Sequence, residues 1–217
     1  MEDNRDALRG AFDAIWLYIA GLKDKINGNS IDVPPFVPPV ARTADAPPES
    51  RFGIDFPVLR HVDEAIALAR QYRAASVADH LADALPALRW SQNPSYNETN
   101  CSRSLLDGYA YAAMGGPDGP IECAAPRGGI MLMGPQVTYP DHRHGPKEIY
   151  LVLTPGAQWR LDEGDWFDVE AGDLLYHDAW QMHAIRTTGR PFLAFAGWIE
   201  PGERASIGWG DKAAASA

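Results

Sequence analysis

One stretch, residues 139–150, constrains this chain more than any other, because it places two His, one Glu and two Tyr within twelve positions. His142 and His144 are two residues apart, so both side chains lie on the same face if the segment is a β-strand. A Gly-Pro pair then predicts a turn, and the apolar run that begins at Glu148 predicts a returning strand, which would make the stretch a hairpin. Imidazole and carboxylate suit divalent ions such as Zn, Fe, Mn, Co or Ni. The stretch therefore predicts half of a metal site.

A second segment, residues 170–185, favours a metal site over a polar surface hairpin. Gly172-Asp173 predicts a tight turn that leads into a segment bearing His177 and His183. A lone His-x-His pair is more often a surface feature, but a second His-bearing strand after a turn favours a shared site. His177 is either a further polar group in the pocket or, as we expect from its place near a turn, an exposed or supporting residue.

The composition disfavours several classes of protein. Of the 217 residues, 46% are hydrophobic and 22% are charged, and no apolar run approaches the roughly 20 residues of a membrane span. The net charge of −10 would repel a phosphate backbone, which argues against nucleic acid as a partner. The acidic N-terminus lacks the order of a secretory signal, so we expect a cytoplasmic location. Cys101 and Cys123 have no framework spacing and are expected to be free thiols.

We expect residues 1–90 to form a helical extension that precedes the main domain. Apolar residues from Leu8 to Ile26 recur three and four positions apart, which predicts an amphipathic helix that ends near Gly28. Residues 29–57 are rich in proline and predict an extended arm, and helical spacing resumes from Val58 onwards. The stripe of the first helix must be covered, and we slightly favour a homodimer contact over packing within one chain.

From about Trp90 onwards, short runs of β-forming residues alternate with Gly, Pro and Asp turns at regular spacing. This pattern predicts a mainly β domain over residues 91–217, and a double-sheet jelly roll fits it. The predicted strands are Leu105–Ala112, Gly129–Met133, Gln136–Tyr139, Glu148–Thr154, Gln158–Leu161, Asp165–Val169, Asp173–Tyr176, His183–Thr187 and Phe192–Trp198.

The order of these residues resembles the two sequence motifs of the cupin superfamily. The first motif corresponds to the span from Gly134 to Gly156, and the second to the span from Gly164 to His183. Two positions depart from the usual pattern: Glu170 stands where a proline is common, and the asparagine that often follows the last His is absent. The resemblance covers roughly residues 128–200 and implies a cupin barrel, a double-stranded β-helix or jelly roll. It also implies that one divalent metal is held by His142, His144, Glu148 and His183.

A closer resemblance is to the cupin-type dimethylsulfoniopropionate lyases of marine bacteria. The shared features are Tyr150 two residues after the metal-binding Glu, Tyr139 just before the His-x-His pair, a helical N-terminal region and several Trp. The resemblance implies a carbon–sulfur lyase of the dimethylpropiothetin dethiomethylase type, which cleaves this sulfonium carboxylate to dimethyl sulfide and acrylate by β-elimination. Tyr150 is then the base that removes the α-proton, and Tyr139 is the competing candidate.

The sulfonium end of such a substrate needs aromatic faces, which attract a cation without hydrating it. Two other function classes stay open, because a cupin fold alone does not define the chemistry. One is an iron-dependent cupin dioxygenase, which would consume oxygen, and the other is a non-catalytic cupin that binds a small molecule. The candidate aromatic residues are Tyr139, Trp159, Trp166, Trp180 and Trp198, and we expect at least half of these Trp to be core residues instead.

Overall fold

Helices lie against one face of a pair of β-sheets in the computed structural model, which describes residues 2–22, 56–199 and 208–209. No helix in this described part of the chain is long and apolar enough to cross a membrane. The predicted proline-rich arm and the predicted helix end near Gly28 fall outside the described residues. The helices are α1 (Glu2–Gly21), α2 (Val62–Ala69), α3 (Ala75–Ala84) and α4 (Arg103–Gly108), with short 3-10 helices at Pro57–His61 and Leu85–Ala87.

The strands form two antiparallel sheets that face each other without closing into a continuous barrel. The first sheet has the order β1-β2-β3-β10-β5-β8, and the second has the order β11-β4-β9-β6-β7. This double-sheet arrangement confirms the predicted jelly roll of cupin type. The strands are β1 (Trp90–Ser91), β2 (Tyr109–Gly115), β3 (Arg127–Met133), β4 (Thr138–Arg143), β5 (Glu148–Val152), β6 (Ala157–Leu161), β7 (Phe167–Val169), β8 (Leu174–His177), β9 (His183–Thr187), β10 (Phe192–Trp198) and β11 (Gly208–Trp209).

The first sheet separates two hydrophobic cores, because its side chains alternate between its two faces. On β5, Ile149 and Leu151 pack against the helices, whereas Tyr150 and Val152 belong to the core between the sheets. This explains why β5 is buried along its whole length. The alternation fixes which residues can meet in the space between the sheets, and Glu148 and Tyr150 share that side.

The predicted hairpin between β4 and β5 is wrong. β4 pairs with β9 and β11 in the second sheet, whereas β5 pairs with β10 and β8 in the first. The Gly-Pro turn therefore carries the chain from one sheet to the other, although its residue types would equally suit a hairpin. In consequence, His142 on β4 and Glu148 on β5 approach one another from facing walls.

The predicted strand Leu105–Ala112 is wrong in its first half, where the chain forms α4. Ser102 caps this helix, because its hydroxyl accepts a hydrogen bond from the Leu105 N–H at 3.2 Å. Arg103 and Asp107 add an ion pair one helical turn apart, at 2.8 Å. The strand begins only at Tyr109, where the helix ends.

The apolar stripe of α1 is covered by the chain itself. Phe12 and Trp16 make edge-to-face contacts with Phe195 on β10, with ring centroids 6.2 and 5.3 Å apart. Ile15 and Ile19 are fully buried in the same core. The described part of the stripe therefore packs within one chain, and the expected homodimer, which stays a prediction, would need another surface.

Replacing Trp16 by Ala should lower the free energy of unfolding by about 3–5 kcal/mol, because a large buried ring leaves a cavity that the helix and sheet cannot fill. Leu17 is the matched control: its side chain is 61% exposed, and Leu17→Ala should change stability by less than about 0.5 kcal/mol. Urea unfolding of both variants measures the difference. Equal losses would contradict the packing of α1 on β10.

Candidate active site

A cavity opens between the two sheets and combines charged, imidazole and aromatic side chains. Its floor follows β2, β3, β10 and β5, where Ala113 and Ala196 leave space because their side chains are small. Glu148 and Arg127 each lie opposite Trp198 in the strand register, so the three side chains form one row across the first sheet. The larger side chains around the cavity are Tyr96, Tyr109, Tyr111, Asp118, Arg127, Met131, Tyr139, His142, His144, Glu148, Tyr150 and Trp198.

A buried group of His and Glu residues lies at this cavity. One ligand atom from each of His144, Glu148 and His183 lies within 4.8 Å of the other two. The His144 Nε2 atom is 3.0 Å from Glu148 Oε2, and the His183 Nε2 atom is 3.5 Å from the same oxygen. His142 is adjacent, with its ring centroid 4.1 Å from that of His183. The structure thus brings together all four residues that the resemblance implied as metal ligands.

Three of the imidazoles are held in the same way by the backbone. In each, Nδ1 lies within hydrogen-bonding distance of a carbonyl oxygen two residues away, so Nδ1–H donates. The Nε2 atoms of His142 and His183 then keep their lone pairs, whereas the Nε2–H of His144 donates to Glu148 when that ring is protonated and is lost when a metal binds. The pairs are His142 with Pro140, His144 with Pro146 and His183 with Gln181, at 2.8, 3.0 and 3.0 Å.

These residues fit a divalent transition metal. Imidazoles that the backbone holds at Nδ1, together with a carboxylate, are the donor set that such ions take in proteins. His183 Nε2 is also fully buried without a hydrogen-bond partner among the described residues, which is costly unless a further group binds there. The His and Glu residues therefore suggest a metal site, without specifying the ion.

The charges within this group depend on one another. Burial alone would raise the pKa of Glu148, but the charge and hydrogen bond of His144 and the hydrogen bond of His177 outweigh burial and hold that pKa at about 2. Burial would lower the pKa of His144, but Glu148 raises it overall. Burial lowers the pKa of His142 to about 4, and burial together with the neighbouring imidazoles also lowers the pKa of His183 well below its usual value. His142 and His183 are therefore neutral near pH 7, as metal binding requires.

His177 is buried within this group rather than exposed. It stands at the end of β8, 1% exposed, and its Nδ1 atom lies 3.3 Å from Glu148 Oε2. Burial lowers its pKa, so the ring is neutral near pH 7. The expectation of an exposed residue is therefore wrong, and the alternative of a supporting role remains.

Both candidate bases line the cavity. Tyr150 follows Glu148 by two residues on β5 and packs edge-on against Trp159, at 4.8 Å between centroids. Burial, followed by the charge of Glu148, raises the pKa of Tyr150 well above its usual value. Tyr139 stacks on His142 at 4.0 Å, and its hydroxyl is hydrogen-bonded to that of Tyr96. Burial also raises the pKa of Tyr139.

The four candidate Trp residues occupy different places, and of these Trp198 is the one that lines the cavity. Trp159 is fully buried behind Tyr150. The guanidinium groups of Arg160 and Arg186 lie over the Trp166 ring, at 4.7 and 4.4 Å from its centre. Trp180 is 56% exposed. Trp159, Trp166 and Trp180 therefore do not line this cavity, and a contact of any of them with a substrate stays a prediction.

Several residues that line the cavity were not predicted from the sequence. Tyr109 and Tyr111 are two residues apart on β2 and so share one face, a signal that the predicted strand Leu105–Ala112 already contained. Tyr96 comes from the loop before α4, which has no periodic signal. Arg127 begins β3, and its guanidinium carbon lies 5.2 Å from the centre of the Trp198 ring. Because its contact, Trp198, is remote in sequence, no local pattern predicts that Arg127 lines the cavity.

The fold and the site define a cupin-type protein, with a buried His and Glu set between two antiparallel sheets. Within that class, the chain belongs to the dimethylsulfoniopropionate (DMSP) lyase family, whose family model matches residues 40–194.

Two curated relatives support this membership. The chain is 27% identical over 104 residues to dimethylsulfoniopropionate lyase DddQ of Ruegeria pomeroyi, a match that covers 48% of this chain and 52% of that protein. It is 30% identical over 162 residues to the putative dimethylsulfoniopropionate lyase DddL of Cereibacter sphaeroides, covering 74% of this chain and 64% of that one. The matches thus span about half to two thirds of the relatives' length.

Solved structures share the fold over nearly the whole chain. The crystal structure of DMSP lyase DddQ from Ruegeria pomeroyi superposes with a TM-score of 0.70 at 20% identity, covering 94% of this chain and 96% of that one. A chain from the crystal structures of the DMSP lyases RdDddP and RnDddQII gives 0.70 at 22% identity, covering 96% and 100%. At these identities the likeness establishes the fold.

Proposed function

We propose that this chain is a metal-dependent lyase that cleaves DMSP to dimethyl sulfide and acrylate, with Tyr150 as the base. The observation that carries the proposal is the position of Tyr150, which lines the cavity beside a buried set of metal-type ligands. Family membership supports the substrate, because two curated relatives carry this activity in their names. The cavity supports it by offering both polar and aromatic walls.

The two ends of the substrate require different surroundings. A sulfonium favours aromatic faces, which Tyr96, Tyr109 and Tyr139 provide as a contiguous group with centroids 5.2–6.1 Å apart. The Trp198 face, in contrast, already has the Arg127 cation over it. We therefore place the sulfonium against the tyrosines and the carboxylate towards Arg127 and the His and Glu group.

His142, His144, Glu148 and His183 would hold the metal. A divalent ion at that position would bind the substrate carboxylate as a Lewis acid and stabilise the negative charge that develops beside it. The chain's own contribution is to hold the three imidazoles and the ionised Glu148 in place before substrate binds.

The elimination transfers one proton to Tyr150 and breaks one C–S bond. The Tyr150 phenolate takes the α-proton, the electrons of that C–H bond form the double bond of acrylate, and the C–S bond breaks so that its pair leaves with dimethyl sulfide. Burial and Glu148 disfavour this phenolate in the protein alone. The base therefore needs added positive charge close by, and this is the physical reason to propose metal dependence.

Tyr150 is preferred to Tyr139 because of their different partners. Tyr139 stacks on His142, and its hydroxyl is already paired with that of Tyr96. Tyr150 shares β5 and the same face with Glu148, so its hydroxyl enters the cavity beside the proposed metal ligands. Tyr139 is better suited to shaping the aromatic wall.

Product analysis of the purified protein tests this proposal. Mixed with DMSP, the metal-loaded protein should release dimethyl sulfide into the gas phase and acrylate into solution in equal amounts. Oxygen uptake with an aromatic or thiol substrate would instead indicate a cupin dioxygenase. Substrate binding without any turnover would indicate a non-catalytic cupin, and either result would overturn the lyase assignment.

A further inference from the structure

His177 differs from the other buried imidazoles in the atoms that it contacts. It pairs directly with Glu148 in the register between β5 and β8, so the two side chains project from neighbouring positions into the same space. Its ring stacks on that of His183, with centroids 4.0 Å apart. The position of His177 alone would suit a further metal ligand.

The hydrogen bonds argue otherwise. The Trp159 indole N–H lies 3.0 Å from His177 Nε2, and because an indole can only donate, Nε2 must accept. In the neutral ring the proton is then on Nδ1, which faces Glu148 Oε2 at 3.3 Å and donates to it. Both nitrogens are engaged, so the ring has no lone pair to offer a metal.

The partners of His177 differ from those of the other three imidazoles, although Nδ1 carries a proton in all four. There, Nδ1–H is bound to a backbone carbonyl and Nε2 is left for the cavity group, whereas in His177 both atoms bind side chains. Trp159 is itself fixed, because it is fully buried and packs against Tyr150 and Phe192. The chain of contacts from Trp159 through His177 to Glu148 runs from the second sheet to the first.

We infer that His177 is a positioning residue, which Trp159 holds in one tautomer so that its Nδ1–H fixes the Glu148 carboxylate towards His144 and His183. The effect on metal binding and turnover rests on the proposed function. The tautomer itself does not, since it follows from the contacts of two buried side chains in the chain alone.

A pair of substitutions separates positioning from ligation. Asn places an N–H close to where His177 has Nδ1, so His177→Asn keeps the donor to Glu148, whereas His177→Leu removes it. Competition with a chelator should show that Leu weakens Zn²⁺ binding by about 10–100-fold and that Asn weakens it only a few-fold. The same order should hold for kcat, with little change in KM. His80→Leu, on the exposed face of α3, is the matched control and should change neither value.

The decisive measurement uses the unaltered protein. Imidazole ¹⁵N spectra of the metal-free chain should show His177 protonated at Nδ1 and unprotonated at Nε2, and Trp159→Phe should allow the other tautomer to appear. Protonation of His177 at Nε2 in the unaltered protein would overturn the inference, as would an Asn variant that binds Zn²⁺ no better than the Leu variant. If the protein releases no dimethyl sulfide but shows the expected tautomer, the proposed function fails while the positioning role stands.

Discussion

Tyr150→Phe should lower kcat for DMSP cleavage at least about 100-fold while the bound metal stays at the level of the unaltered protein. The substitution keeps the ring that packs against Trp159 and removes only the hydroxyl that is proposed to take the α-proton. General-base catalysis typically contributes about 10²–10⁴-fold, so the loss should lie in kcat rather than KM. Initial-rate assays of dimethyl sulfide release, with metal analysis of the same samples, measure it.

Two comparisons sharpen this experiment. Tyr72→Phe, at a residue that does not line the cavity, should leave the rate unchanged. Deuterium at the substrate α-carbon should slow the unaltered enzyme if proton removal limits turnover. A fully inactive Tyr139→Phe beside an active Tyr150→Phe would assign the base to Tyr139 instead. If both variants retain activity, tyrosine-initiated elimination is wrong.

Replacing His144 or His183 by Ala should weaken metal binding at least about 100-fold and reduce lyase activity in parallel. Each substitution removes one imidazole from the set whose ligand atoms lie within 4.8 Å of one another. Second-shell substitutions typically cost about 10–100-fold in metal affinity, so loss of a direct ligand should cost at least as much. Chelator competition gives the affinity, and metal analysis after dialysis gives the occupancy.

The fold should survive these changes sufficiently for a clear test. Far-ultraviolet circular dichroism of both variants should match that of the unaltered protein, and His80→Ala, on the surface of α3, should keep full metal content. Full occupancy in both His144→Ala and His183→Ala would remove the metal site from the proposal. Added Zn²⁺ in excess should restore part of the activity if affinity alone is lost.

The ligand pattern was predictable because it is local. His142, His144 and Glu148 lie within seven consecutive residues, and their types and spacing indicate a set of metal ligands without knowledge of the fold. The later strands were also well placed, because alternation with period two and turn residues are local signals. The turn at Gly172-Asp173 indicates a second His-bearing strand, but only the cupin resemblance selects His183 over His177 as the fourth ligand.

The two incorrect strand predictions rest on local sequence signals that are compatible with more than one structure. A Gly-Pro turn suits both a hairpin and a crossing between sheets, and only the remote partners of β4 and β5 decide which one forms. Apolar residues such as Leu105 suit a strand as well as a short helix, and the Ser102 cap decides in favour of α4. Tyr96 and Arg127 reach the cavity through tertiary packing, which no short window of sequence contains.

The crossing of the chain between β4 and β5 also affects how a bound metal would stabilise the domain. His142 belongs to the second sheet and Glu148 to the first. A metal ion that binds both side chains would therefore link the two sheets, in addition to the loop between β4 and β5. The sheets could then separate only after the ion dissociates. Resistance of the domain to heat should therefore rise with the logarithm of free ion concentration once that concentration exceeds the dissociation constant.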